Sequence, residues 1–92
     1  MKKRIECRIE GRVQMVMYRD FATRTARKLE LVGSVANNQD GSVSLVAEGE
    51  EKSLNEFIPL LTKGPLLSKV DAVSVTWKDA TNEFTQFVIA YE

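Results

Sequence analysis

Polar and apolar positions change period several times along this chain, and each change predicts an element. Ile5, Cys7, Ile9 and Val13 point one way, and Arg4, Glu6, Arg8, Glu10 and Arg12 the other. A period of two is that of a strand with one buried face. From residue 20 to 31 the period becomes helical. Phe21, Ala22, Thr25, Ala26 and Leu29 share a stripe, with Arg24, Arg27 and Lys28 mostly off it. Gly33 either ends this helix or begins the next strand. Residues 33–37 and 42–48 flank "NNQDG", and Asp40-Gly41 predicts a hairpin, because glycine supplies the positive φ of a tight turn. The second arm alternates through Val43, Leu45 and Ala47. Leu54, Phe57, Ile58 and Leu61, spaced i, i+3, i+4 and i+7, predict a second helix. Ser53 and Glu56 are placed to form a capping box, unless the acidic residues before them extend the helix upstream. Pro59 removes one hydrogen bond from its last turns, and Gly64-Pro65 ends it. Residues 69–78, with Val73, Val75 and Trp77 on one face, and 84–91, with Phe87, Ile89 and Tyr91, predict two more strands. Trp77 and Phe87 are expected in the core.

The order is strand, helix, strand, strand, helix, strand, and a short final strand. The central hairpin forces antiparallel pairing, and two helices can cover one face of one sheet. This predicts an α+β class, a ferredoxin-like βαββαβ sandwich with an antiparallel sheet and a short additional C-terminal strand. Residues 1–92 are expected to form a single domain, since no linker or repeat divides them. Such a fold hosts many activities and decides none.

Composition narrows the chemistry. Thirteen basic residues balance 13 acidic ones. That argues against a nucleic acid or a membrane surface as partner, since both usually call for a basic excess. An RNA-binding domain of this topology would show aromatic residues on its central strands, and "GSVSLVAEG" has none. No apolar run approaches the roughly 18 residues that span a bilayer. The alternating N-terminus does not resemble a signal peptide, so a cytoplasmic location is expected, and the small size and balanced charge make a monomer the default. The chain has one cysteine and no histidine. The commonest general base and the usual zinc ligands are missing, so no metal or cofactor is expected. Cys7 alternates with Ile5 and Ile9 and reads as core.

One stretch resists a purely structural reading. "GRVQMVMYR", residues 11–19, runs from the first strand into the first helix and ends on Arg19. Helix N-termini expose main-chain N–H groups without partners and carry partial positive charge, which favours an anion. A guanidinium adds a planar fork suited to phosphate or carboxylate. No Gly-Lys-Ser/Thr follows, so this is not a Walker loop. The plain alternative is a surface arginine paired with a carboxylate.

These residues carry a resemblance. The stretch "GRVQMVMYR", a helix, then "GSVANNQDGSVSLVAEG" resembles the acylphosphatase family, whose pattern is G-x-V-Q-G-V-x-F-R, then G-x-V-x-N and D-G-x-V with a trailing E-G. Gly11, Val13, Gln14, Val16, Arg19, Gly33, Val35, Asn37, Asp40, Gly41, Val43, Glu48 and Gly49 match it in order and spacing. The closing "FVIAY" is similar as well. The resemblance implies hydrolysis of small acyl phosphates to a carboxylate and inorganic phosphate. It implies a phosphate-binding loop of Gln14, Met15, Val16, Met17, Tyr18 and Arg19, with Arg19 and Asn37 catalytic. The N–H groups of residues 15–19 and Arg19 would hold the phosphoryl oxygens, and Asn37 would orient the water. The V-x-N spacing selects Asn37, which leaves Asn38 to the turn. Two departures stand out: Met15 replaces the family glycine, and Tyr18 the family phenylalanine. Tyr18 is expected to pack beneath the loop. Met15 is expected to narrow the cradle or shift the loop and so lower the rate or limit substrate access; Met15 and Met17 otherwise read equally as ordinary apolar loop packing or as an apolar lip for an acyl group. The extreme case is a non-catalytic phosphate- or anion-binding module of the same fold.

Overall fold

The structure, a computed structural model, describes residues 1–91. It runs β1 (Lys2–Arg12), α1 (Tyr18–Lys28), β2 (Val32–Asn37), β3 (Val43–Glu50), α2 (Glu51–Lys63), β4 (Lys69–Asp79) and β5 (Phe87–Ile89). The five strands form one sheet in the order β4-β1-β3-β2-β5. The first four pair antiparallel, with Cys7 opposite Leu45 and Val75, and Val35 opposite Leu45. This is the ferredoxin-like arrangement.

The final strand refines the expected all-antiparallel sheet. β5 lies parallel to β2, with Gly33 opposite Phe87 and Val35 opposite Ile89, so the sheet is mixed. The reason is directional. The chain reverses after β4, so a strand reaching the open edge of β2 runs opposite to β4 and therefore along β2. Only residues 87–89 join the ladder, fewer than the 84–91 expected.

Ile5, Cys7, Ile9 and Val13 face a core completed by Ala22 and Ala26 of α1 and by Leu54, Phe57 and Leu61 of α2. Phe57 meets Phe87 edge to face, with ring centroids 6.3 Å apart. The arginines and glutamates of β1 line the other face, where Arg4 pairs with Glu6 and Arg8 with Glu10. Trp77 departs from expectation and is 43% exposed. β4 is an edge strand, so its far end has a neighbour on one side only. Gly33 belongs to β2 with φ 147°, and a Cβ there would overlap the carbonyl of Val46. It therefore opens a strand rather than ending a helix. α2 starts at Glu51 with no side-chain cap, so the acidic residues do extend it past Ser53, and it continues through Pro59. Among the described residues, no helix is long and apolar enough to cross a membrane.

Candidate functional site

α1 begins at Tyr18, two residues earlier than the pattern predicts, and this places the loop. Tyr18 is buried, and its hydroxyl donates to the Leu61 carbonyl of α2 at 2.6 Å. Burial, and to a lesser degree the nearby Cys7, push its phenol above the usual tyrosine range. Tyr18 is thus a pin beneath the loop, as expected. Burial also raises the Cys7 thiol, to about 12, which keeps it protonated and unreactive.

Residues 14–17 connect the elements. Met15 (φ 59°) and Met17 (φ 63°) both adopt the left-handed conformation. These two reversals curl the main chain. Among the described residues, no N–H from Gln14 to Asp20 finds an acceptor, and the Ncap residue Met17 offers no side-chain cap. The first amide of the helix to be satisfied is that of Phe21, which donates to the Met17 carbonyl at 3.0 Å. Successive unbonded amides at a helix start form a concavity suited to anions. Met15 does not fill it. Its side chain is wholly exposed, which corrects the expectation of a narrowed cradle: the left-handed backbone turns Cβ outward.

Gln14 fastens this loop to the β2–β3 hairpin. Its side-chain NH2 donates to the carbonyls of Asn38 (2.7 Å) and Ser42 (2.9 Å). The hairpin is itself braced. Asn38 donates from its main chain to the Ser42 carbonyl at 2.8 Å, and from its side chain to the hydroxyls of Ser42 and Ser44 at 2.8 Å each. The Ser42 hydroxyl and N–H and the Arg8 guanidinium hold the Asp40 carboxyl well below the usual carboxylate range. Asn38 is therefore a turn former, as its position suggested.

Asn37, the last residue of β2, has a buried Oδ1 with no donor among the described residues. Buried polar atoms are almost always paired, so this one is a signal. Arg19 lies half-buried at the start of α1. Among the described residues its guanidinium has no carboxylate partner; it stacks on Tyr91 at 5.4 Å from the ring centroid. Arg19, Asn37, Asn38 and Tyr91 line one hollow of roughly 230 Å³. The two residues singled out from sequence are thus brought together, 18 positions apart and on different elements. Two contributors had no sequence signal: the tethering role of the Gln14 side chain, and Tyr91, which reaches Arg19 because the Ala90 N–H donates to the Val35 carbonyl at 2.9 Å.

Elsewhere, a hollow of roughly 370 Å³ at the opposite end of β2 presents Glu30, Glu48 and Glu50 against Lys2, a poor setting for an anion. Among the described residues, no three or more metal-ligating side chains of the His, Cys, Asp and Glu types cluster.

At one corner of this ferredoxin-like sheet, a guanidinium with no carboxylate partner among the described residues meets a curl of unbonded amides. The acylphosphatase family model matches residues 5–89, and the chain belongs to that family. An acylphosphatase of Salinibacter ruber is 44% identical over 86 residues, covering 94% of this chain and 90% of that protein. One from Methylococcus capsulatus is 41% identical over 87 residues, covering 95% of each. The crystal structure of an acylphosphatase from Bacillus subtilis superposes with a TM-score of 0.94 at 36% identity, covering 97% of this chain and 99% of that one.

Proposed function

We propose that this chain hydrolyses acyl phosphates, the reaction of its family, with Arg19 and the loop amides holding the phosphoryl group and Asn37 directing the water. The acyl phosphate is a mixed anhydride whose leaving carboxylate has a conjugate acid of pKa about 4. It departs without a general acid. A chain without histidine is therefore chemically sufficient, and the task reduces to positioning and charge stabilisation.

The N–H groups of residues 15–19 and the guanidinium of Arg19 take the non-bridging phosphoryl oxygens. Their positive ends sit where charge accumulates as the bond to the acyl oxygen breaks. Asn37 Oδ1 accepts a proton-bearing O–H of the attacking water and aims its lone pair at phosphorus. The P–O bond to the acyl group breaks, its electron pair leaves on the carboxylate, and the water proton passes to a phosphoryl oxygen. The observation that carries this reading is the orphaned Asn37 oxygen in the same hollow as an arginine without a carboxylate partner. The outward Met15 side chain removes the main ground for a purely binding role. We further take the chain to act as a self-contained monomer in the cytoplasm. Its small size and balanced charge support this.

The test is hydrolysis of benzoyl phosphate in EDTA. The natural protein is expected to turn over, and Arg19→Ala to lose on the order of 10²-fold or more in kcat, the scale of one key charge-stabilising donor. Near-normal turnover in that variant would reject the assignment.

A further inference from the structure

A second hollow, of roughly 390 Å³, adjoins the first, and Arg19 lines both. Its other walls are almost entirely apolar: Val13, Met15, Met17, Tyr18 and Ile89. Met15 is wholly exposed and Met17 70% exposed, although both belong to a loop that elsewhere turns Val16 and Tyr18 inward. Exposed flexible thioethers at the rim of a ligand site are adaptable apolar contacts. The remaining wall residue is Asp20, whose carboxylate accepts from Arg24 at 2.9 Å. No lysine lines this hollow, and its only arginine is the one that faces the phosphoryl group.

Displacement at phosphorus places the incoming water and the leaving oxygen in line, on opposite sides. Asn37 lines only the first hollow and the methionines line only the second. With phosphorus at Arg19, water on the Asn37 side sends the acyl group toward Met15 and Met17. We infer that this second hollow is the acyl subsite, and that Met15 and Met17 select acyl phosphates with an uncharged, apolar acyl group over small or anionic ones. The inference rests on the phosphoryl placement proposed above. An aryl or branched aliphatic acyl group covers the thioethers and is itself removed from water, whereas an acetyl group reaches little of this surface. An acyl tail with its own carboxylate meets an apolar wall and an aspartate already paired with Arg24, and is disfavoured.

The experiment compares kcat/KM for benzoyl, acetyl and succinyl phosphate in the natural protein, in Met15→Ser/Met17→Ser and in Met15→Leu/Met17→Leu. All three carry a Cβ at both left-handed positions, so backbone strain is matched. Comparing the benzoyl-to-acetyl ratio between proteins cancels the intrinsic reactivity of the substrates. The serine variant is expected to lower that ratio about 10-fold, the discrimination typical of a few apolar contacts, and the leucine variant to keep it within about twofold of the natural protein. Succinyl phosphate is expected to be no better a substrate than acetyl phosphate. An unchanged ratio in the serine variant overturns the acyl subsite, as does an equal fall in both variants, which would assign the effect to loop geometry. A natural protein that prefers succinyl phosphate also overturns it. In each of these cases hydrolysis itself persists, and the proposed activity stands. If the natural protein hydrolyses none of the three, or if Arg19→Ala matches it, the activity and the subsite fall together.

Discussion

At the scale of single residues, what matters is the direction a side chain takes from a constrained backbone. Met15 occupies the position where the family has glycine, and the backbone there remains left-handed, at φ 59°. For an L-residue with a side chain this conformation is unfavourable by roughly 1–2 kcal/mol. Its outward side chain recovers no core packing in return. Met15→Gly is therefore expected to raise unfolding stability by about 1 kcal/mol, after allowing for the greater entropy that glycine gives the unfolded chain. Urea denaturation of the two proteins measures this, and a loss of stability would show that the methionine packs against something. In this conformation the thioether stands in solvent.

At the scale of elements, the site exists because a loop and a hairpin that are distant in sequence are locked together. β3 separates β1 from β2 in the sheet, so Arg19 and Asn37 do not meet through adjacent strands. The Gln14 amide closes that gap by its two bonds to Asn38 and Ser42. Gln14→Ala removes both. It is expected to lower kcat/KM by about 10-fold or more, since small misplacements of reacting groups carry penalties of that order or larger. Global stability should change little, because the side chain bonds only to loop and turn carbonyls. Steady-state kinetics set beside thermal unfolding separates the two effects. A drop in stability with unaltered kinetics would make Gln14 a fold residue only. β5 contributes on the same scale: its parallel docking on β2 delivers Tyr91 to the Arg19 guanidinium.

At the scale of the whole molecule, the end of the sheet remote from the site is held by one buried carboxylate. Glu48 is 3% exposed and accepts from Arg4 at 2.8 Å, from the Thr81 N–H at 3.0 Å and hydroxyl at 2.8 Å, and from the Asn82 N–H at 3.0 Å. Arg4 also donates to Glu6 (2.9 Å) and Glu83 (2.6 Å). These bonds staple the crossing between β4 and β5 onto the sheet. Burial by itself would raise the Glu48 carboxyl, but the bonds from Arg4, Thr81 and Asn82 outweigh it and bring it down to about 2. A folded value below the ordinary one stabilises the protein above the unfolded value, near 4.5, and that contribution is lost as pH falls from there toward 2. Glu48→Ala leaves two amides without an acceptor and takes one of three carboxylates from Arg4, and is expected to cost about 2 kcal/mol at pH 7. The difference from the natural protein should shrink as pH is lowered toward 2. Urea midpoints of both proteins at pH 7 and pH 3 check this, and an equal gap at the two pH values would contradict it.

Sequence alone determined the elements and their order, because hydrophobic period is local: a strand repeats every two residues and a helix every 3.6. It also singled out Arg19 and Asn37 as candidates, because the loop and turn motifs depend on residue types at short spacing. Only the tertiary structure decided where Trp77 sits, how β5 runs, which way Met15 points and how Gln14 reaches the hairpin. Exposure at a sheet edge depends on what packs beside the strand. Strand direction depends on the path taken around the sheet. The aim of a side chain depends on a backbone φ that a methionine in the sequence does not announce. The meeting of Arg19 with Asn37, and the stacking of Arg19 on Tyr91, are non-local in the same sense, since they arise only once β3 has come between β1 and β2 and the end of the chain has returned to the first helix.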